Sequence, residues 1–161
     1  MNQWINAALF LLFVSTLLVA ISFVKRRRNI KAEAARKFMH VIGGLGTLSF
    51  PYLFHSPYPV LVISILSAGG LLMTQRVKAL SHIGEALSSV ERASLGETFF
   101  PLGVGLVFIL SGGDAVIFWI PVLILTFADA VAALIGQEYG RTHYTTTEGT
   151  KSAEGSTAFF I

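Results

Sequence analysis

Cysteine is absent from the sequence, which excludes a disulfide framework, a thiol nucleophile and a cysteine-ligated zinc site. Charge is scarce as well. Only 13% of residues are Asp, Glu, Lys or Arg, and they fall in blocks between long apolar stretches. There is no linker, internal repeat or low-complexity segment, so residues 1–161 read as a single domain. With 53% hydrophobic residues and a mean hydropathy of +0.68, the chain is too apolar for a soluble domain of its length. The formal net charge of +3 does not point to nucleic acid. Lys25, Arg26, Arg27, Arg28, Lys31, Arg36 and Lys37 crowd beside an apolar span, the pattern of a membrane-orienting, lipid-facing patch.

What is abundant is uncharged apolar sequence of membrane-crossing length. Ile5–Val24 suits a hydrocarbon core of roughly 30 Å. Its cations follow the apolar run instead of preceding it, which is the flank of a retained anchor and not of a cleaved signal peptide. Further spans are expected at about Met39–Phe54, Pro57–Thr74, Phe99–Gly112 and Ala115–Gly136, with a sixth beginning near Gly155. The fold class expected is therefore all-α, a polytopic transmembrane bundle of five spans plus the start of a sixth. Ala158-Phe159-Phe160-Ile161 reads as the opening of that sixth span, so the domain is expected to be C-terminally truncated. Gly43, Gly44 and Gly46 in the second span, and Gly103 and Gly105 in the fourth, suit close helix packing in lipid.

Charge placement orients this layout. With the N-terminus outside, segments 25–38, 75–98 and 137–154 are cytoplasmic and hold all 12 Lys and Arg residues. The outer connections, His55-Ser56-Pro57 and Ser111-Gly112-Gly113-Asp114, hold none. This follows the positive-inside rule. An integral protein of a bacterial cytoplasmic membrane is expected, with its polar loop on the cytoplasmic side.

Two anomalies mark where chemistry can sit. Asp129 lies inside the fifth span, where an ionisable residue is expensive and by default functional. Ala132, Ala133 and Gly136 share its helix face and leave a small-residue lane beside the acid. The plainer alternative is a carboxylate paired to a cation on a neighbouring helix. The second anomaly is the loop 137–154, dense in glycines, hydroxyls, cations and acids. Its Gly149-Thr150-Lys151-Ser152 has the order that ends a Walker A loop, but the upstream glycine and preceding strand are missing. A P-loop fold is therefore excluded. Amides at Gly149, Gly155 and the next helix N-terminus can still cradle phosphate, with Lys151 as a point charge. Acids beside a phosphate imply a divalent cation.

On the same membrane side, Arg36, Lys37 and His40 share one helix face at spacings of three and four. Glu97 opens the fourth span and by itself reads as a partner of the helix dipole. His55, His82 and His143 have no ligand spacing.

Three blocks in order then carry a family resemblance: Arg36-Lys37-x-x-His40; Gly96-Glu97-x-Phe99-x-Pro101-Leu102-Gly103; and Asp129-x-x-Ala132-x-x-x-Gly136-x-x-x-Gly140 followed by Lys151-Ser152-x-Glu154-Gly155-Ser156. From about residue 36 onward the chain resembles the polyprenol kinase family, which includes dolichol kinase and phytol kinase. The resemblance implies phosphoryl transfer, typically from CTP with Mg2+, to a long isoprenoid alcohol held in the membrane. It places the nucleotide phosphates on Gly136, Gly140, Gly149, Lys151, Ser152, Glu154, Gly155 and Ser156, aided by Arg36 and Lys37. It gives Asp129, with Glu97 and Glu154, to the metal, and makes Asp129, Lys151 and His40 the catalytic candidates. The last block also resembles phosphatidate cytidylyltransferases, which form CDP-diacylglycerol; the first two blocks favour the kinase. A small ion-coupled transporter or membrane scaffold is the third alternative, disfavoured because the deep acid is single and no duplicated halves are present.

Overall fold

A computed structural model of the chain describes residues 2–28, 30, 32–76, 95–146 and 149–161. Lys31, Lys78, His82, Arg92 and most of segment 75–98 lie outside them, so the expectations for those positions are not addressed by the structure. Within them the chain is almost wholly helical: α1 (Gln3–Arg28), α2 (Ala32–Thr47), α3 (Phe50–Leu53), α4 (Pro57–Arg76), α5 (Leu95–Leu110), α6 (Ala115–Glu138) and α7 (Ala153–Phe159). One short antiparallel hairpin, β1 (His143–Thr146) and β2 (Gly149–Ser152), interrupts this run.

Among the described residues, two helices are long and apolar enough to cross a membrane, Gln3–Lys25 within α1 and Ala115–Glu138 as α6. Only 6% of the α1 window and 22% of the α6 window is buried inside the protein, unlike the mostly buried core helix of a soluble fold. Their outward faces show Leu9, Leu12 and Val19 on α1, and Ile117, Ile120, Ile124 and Val131 on α6. Such a belt is an aggregation hazard in water and matches hydrocarbon in a bilayer.

The other expected spans are shorter. The apolar parts of α4 and α5 are Pro57–Met73 and Thr98–Leu110. The stretch expected as one span, Met39–Phe54, is broken: α2 stops at Thr47, a turn spans Leu48–Ser49, and α3 restarts with Pro51 in its first turn. Proline has no N–H to continue a helical ladder, so it is tolerated where a helix begins. The Trp119 indole N–H donates to the Leu48 carbonyl at 2.8 Å and satisfies an acceptor that the break exposes.

The connections expected on the outer side are tight. Gly112 (φ +59°) and Gly113 (φ +91°) turn the chain between α5 and α6 in the left-handed region open to glycine. Asp114 then caps α6 by accepting from the Ile117 amide at 3.0 Å. Across the bundle, Gln3 Oε1 accepts from the amides of His55 and Ser56 at 2.9 and 3.1 Å.

Packing is uneven along the bundle. α4 lies against α5, α2 against α6, and α1 against both α2 and α4. The buried apolar cluster, which includes Phe50, Phe54, Val60, Phe108 and Phe118, gathers toward those outer turns. Phe50 meets Phe54 edge-on at 5.2 Å and stacks with Phe118 at 6.3 Å. Such ring pairs contribute about 0.5–1.5 kcal/mol each beyond their buried area. Two of the expected packing glycines serve close contact: a Cβ on Gly44 would strike the Thr126 side chain, and one on Gly105 that of Ser64. At the opposite end the described residues leave an open space between the helices.

Candidate functional site

A cavity of about 1330 Å³ occupies the open end and reaches toward Phe50. Its mouth is polar, with Arg36, Lys37, His40, Asp129, Lys151 and Ser156 in the wall. Its inner part is apolar and lies among α1, α2, α4 and α5.

Helical spacing on α2 delivers Lys37 and His40 to the same oxygen of Asp129 on α6. Lys37 Nζ lies 2.5 Å from Asp129 Oδ2, and His40 Nε2 lies 3.7 Å from it. The plainer alternative for Asp129, a cation on a neighbouring helix, is thus what the structure contains. The pair is lopsided in exposure: the Lys37 side chain is 11% exposed and that of Asp129 43%. The cation is enclosed while the carboxylate still opens onto the cavity, so Lys37 compensates the acid of an apolar helix without covering it. His40 is fixed on two further sides. Its Nε2 is 3.3 Å from the Leu125 carbonyl oxygen, and its ring packs on Phe100 of α5 at 4.2 Å. Arg36 also lines the mouth and has interactions of its own.

The segment read as a loop, 137–154, instead contains the hairpin. Tyr144 and three threonines are residues that favour extended backbone, and Tyr144 pairs across the strands with Lys151. The Tyr144 hydroxyl and Ser156 Oγ are 2.5 Å apart. His143, Tyr144, Thr150 and Lys151 all line the cavity, so the hairpin forms one side of its mouth. Tyr144 and Thr150 were not singled out from sequence. The Tyr-Thr-Thr-Thr run ahead of Gly149 is the signal that marks them.

The glycines of this block, read from the resemblance as a phosphate cradle, pack closely against their own chain. Ser152 Oγ accepts from the Gly155 amide at 3.1 Å and faces the Gly136 carbonyl at 3.4 Å. A Cβ on Gly155 would lie 2.8 Å from the Ala132 carbonyl oxygen and 2.9 Å from Gly136 Cα. One on Gly140 would lie 2.8 Å from Ser152 Cβ. Gly136, Gly140 and Gly155 therefore let α7 sit directly on the end of α6. The small-residue lane beside Asp129, read from sequence as room for a ligand, is in part filled by the chain itself. The Gly155 amide is engaged by Ser152.

The remaining candidates divide. Ser156 and Lys151 line the cavity, and Lys151 has a partner of its own. Gly149 lies in β2 opposite Thr146. Glu154 is turned to the backbone: its two carboxylate oxygens accept from the Thr142 amide at 3.1 and 3.3 Å. Hydrogen bonds from its own backbone N–H, and then from that of Thr142, hold its carboxyl below the usual range. Glu97 belongs to the first turn of α5, and its side chain is outside the described set. The neighbouring Gly96, Phe99 and Phe100 line the cavity. Among the described residues no group of three or more His, Asp or Glu side chains converges as a metal cage, and Asp129 is the acid that faces the cavity.

With this geometry in place, comparison with curated proteins finds a phytol kinase of Synechocystis sp., 28% identical over 155 residues that make up 95% of this chain. The match supports a phytol kinase-like family. It runs through the Arg36–His40 block, the helix of Asp129 and the hairpin alike, because it covers nearly all of the sequence. The chain spans 65% of the length of that phytol kinase. No protein-family model matches the sequence, and no solved structure does.

Proposed function

We propose that the protein is a membrane-embedded kinase that transfers a phosphoryl group from CTP to the hydroxyl of a long-chain isoprenoid alcohol such as phytol, dolichol or another polyprenol. The observation that carries this reading is one cavity with two chemistries. Its mouth presents an exposed carboxylate among cations, and its depth is mostly apolar. An amphipathic alcohol and an anionic donor meet naturally at such a boundary. The phytol kinase relative supports the same class.

In this reading Asp129 accepts the hydrogen bond of the substrate hydroxyl. The alcohol oxygen forms a bond to the γ-phosphorus, the bond from that phosphorus to the β,γ-bridging oxygen breaks, and CDP leaves with the electron pair. The hydroxyl proton passes to the Asp129 carboxylate, with His40 beside it. Lys151 and Arg36 offset triphosphate charge at the mouth. Phosphoryl transfer asks for such positioning and charge neutralisation more than covalent work. The donor set fits Mg2+ that arrives with the nucleotide, since this ion is commonly held by one or two carboxylates together with phosphate oxygens and waters. Asp129 would hold it as the alternative to taking the hydroxyl proton, and the ion would neutralise charge on the transferring group.

The same proposal takes the helices to form five membrane spans, with the N-terminus outside a bacterial cytoplasmic membrane and the hairpin on the cytoplasmic side. Its support is the placement of all 12 cations in the three segments on that side. Parallel assays test the function, one with CTP labelled at the γ-phosphate and phytol, farnesol or undecaprenol offered separately, the other with CTP labelled at the α-phosphate and phosphatidate offered. Label is expected in a lipid alcohol and to depend on Mg2+. Label in CDP-diacylglycerol when phosphatidate is supplied, and in none of the alcohols, would make the protein a cytidylyltransferase.

A further inference from the structure

Glycines on the helices of the bundle face different neighbours. Gly44 and Gly105 lie against the side chains of Thr126 and Ser64. Gly43 on α2 and Gly70 on α4 border the cavity, and a Cβ on either would meet nothing within 4 Å. They widen the cavity and hold no neighbour close. Beyond them the wall is mostly apolar, with Leu11 and Val14 of α1 and Ile63 and Leu66 of α4, and the hydroxyls of Ser15, Thr47, Ser64 and Ser67 lie among them. It ends on Phe50, which is 1% exposed and braced edge-on by Phe10 at 4.7 Å. A predominantly apolar wall with a few polar groups suits a ligand that is mainly hydrocarbon.

We propose that this apolar leg, flanked by Gly43 and Gly70 and floored by Phe50, seats the tail of the isoprenoid alcohol and sets the length the enzyme prefers. The inference rests on the kinase reading above and extends it from the hydroxyl to the tail. His40 and Thr47, which mark the mouth and the lower wall on α2, are seven residues apart, roughly 10 Å along a helix. A seat of fixed depth with an aromatic floor rewards tails that fill it and gives nothing for carbons beyond it. Discrimination follows from the apolar contacts, each methylene of fit being worth about tenfold or more in kcat/KM.

The test combines turnover with labelling. Gly43→Leu and Gly70→Leu place an isobutyl group in open space, so folding is preserved. Gly69→Leu, equally unobstructed but away from the cavity wall, is the control. Prenol, geraniol, farnesol and phytol are compared in each. Gly43→Leu and Gly70→Leu are expected to lose at least about tenfold in kcat/KM for farnesol and phytol while prenol changes little, with Gly69→Leu like the parent. An equal fall for all four alcohols, or none, overturns the seat. A phytol analogue carrying a photoreactive diazirine at its tail end gives a readout that does not need catalysis. Crosslinks are expected on peptides containing Phe50 or Ile63, and lost in Gly43→Leu. Crosslinks there without phosphorylation of any alcohol leave the seat standing and sink the kinase. Phosphorylation with crosslinks elsewhere does the reverse.

Discussion

Lys37 and Asp129 stand 92 residues apart in sequence and 2.5 Å apart in space, an enclosed cation against a carboxylate that still faces the cavity. This pair ties α2 to α6 at the end where aromatic packing is thin. It also fixes which oxygen of the acid remains for a ligand.

Asp129→Asn keeps the shape of the side chain and removes its charge. Turnover should fall by about 100-fold or more, the scale of a lost general base, with helicity by circular dichroism little changed. Wild-type turnover in a folded Asp129→Asn protein removes the acid from the site.

Lys37→Met should cost stability as well as activity. Breaking a fully buried pair costs about 3–5 kcal/mol; here the partially exposed carboxylate can be solvated, which lowers the figure to on the order of 1–2 kcal/mol. Thermal unfolding in detergent measures it. If the double variant Lys37→Met/Asp129→Asn is more stable than Lys37→Met alone, the cost belongs to the uncompensated acid.

Gly155→Ala pits helix propensity against space. Alanine favours a helix by about 1 kcal/mol over glycine, but the new Cβ meets backbone at 2.8 and 2.9 Å on α6. Overpacking of this kind costs about 1–3 kcal/mol, so a net loss is expected, with α7 displaced and KM for CTP raised. A thermal midpoint above the parent's contradicts the seating of α7.

Lys151→Ala should raise KM for CTP more than it lowers kcat, if the lysine supplies charge at the mouth and not the reacting proton. The added KM should shrink at high salt, where exposed charges are screened. A kcat effect with KM unchanged would move Lys151 into the transition state instead.

The Glu154 clamp on the Thr142 amide has a pH signature. Its folded carboxyl titrates below the ordinary value of 4.5. The clamp's contribution is therefore complete above that value and is lost as pH falls through the lower folded value. Protection of the Thr142 amide, taken relative to its intrinsic exchange rate, should fall in the parent as pH drops below 4.5, whereas in Glu154→Gln it should show no such step. Identical profiles in the two proteins would remove Glu154 from the clamp.

Much of this was legible in the sequence because it depends on local period and charge. The Arg36-Lys37-x-x-His40 spacing puts three side chains on one helix face, and Asp129 stands out by its apolar surroundings. Their meeting could be suspected but not located, since a contact across 92 residues is set by packing of α2 on α6. The break after Thr47 was hidden inside an apolar run, although Ser49-Phe50-Pro51 carries a helix-start signal. The hairpin escaped because its pairing of Tyr144 with Lys151 lacks an Asn-Gly turn signature. The role of Gly136, Gly140 and Gly155 also depended on tertiary contact: glycine admits a phosphate or a neighbouring helix equally well, and here the neighbour is the chain's own α7.

The ring cluster of Phe50, Phe54, Phe108 and Phe118 has a mechanical consequence. Among the described residues, interlocked rings hold one end of the bundle, and an ion pair and small residues join α2, α6 and α7 at the other. Local opening is cheapest where apolar contacts are fewest, so a ligand of the proposed kind would be admitted from the cavity's mouth downward. Amides near Lys37 and Asp129 should accordingly exchange sooner than those beside Phe50 and Phe118, and a ligand filling the leg should slow the former most.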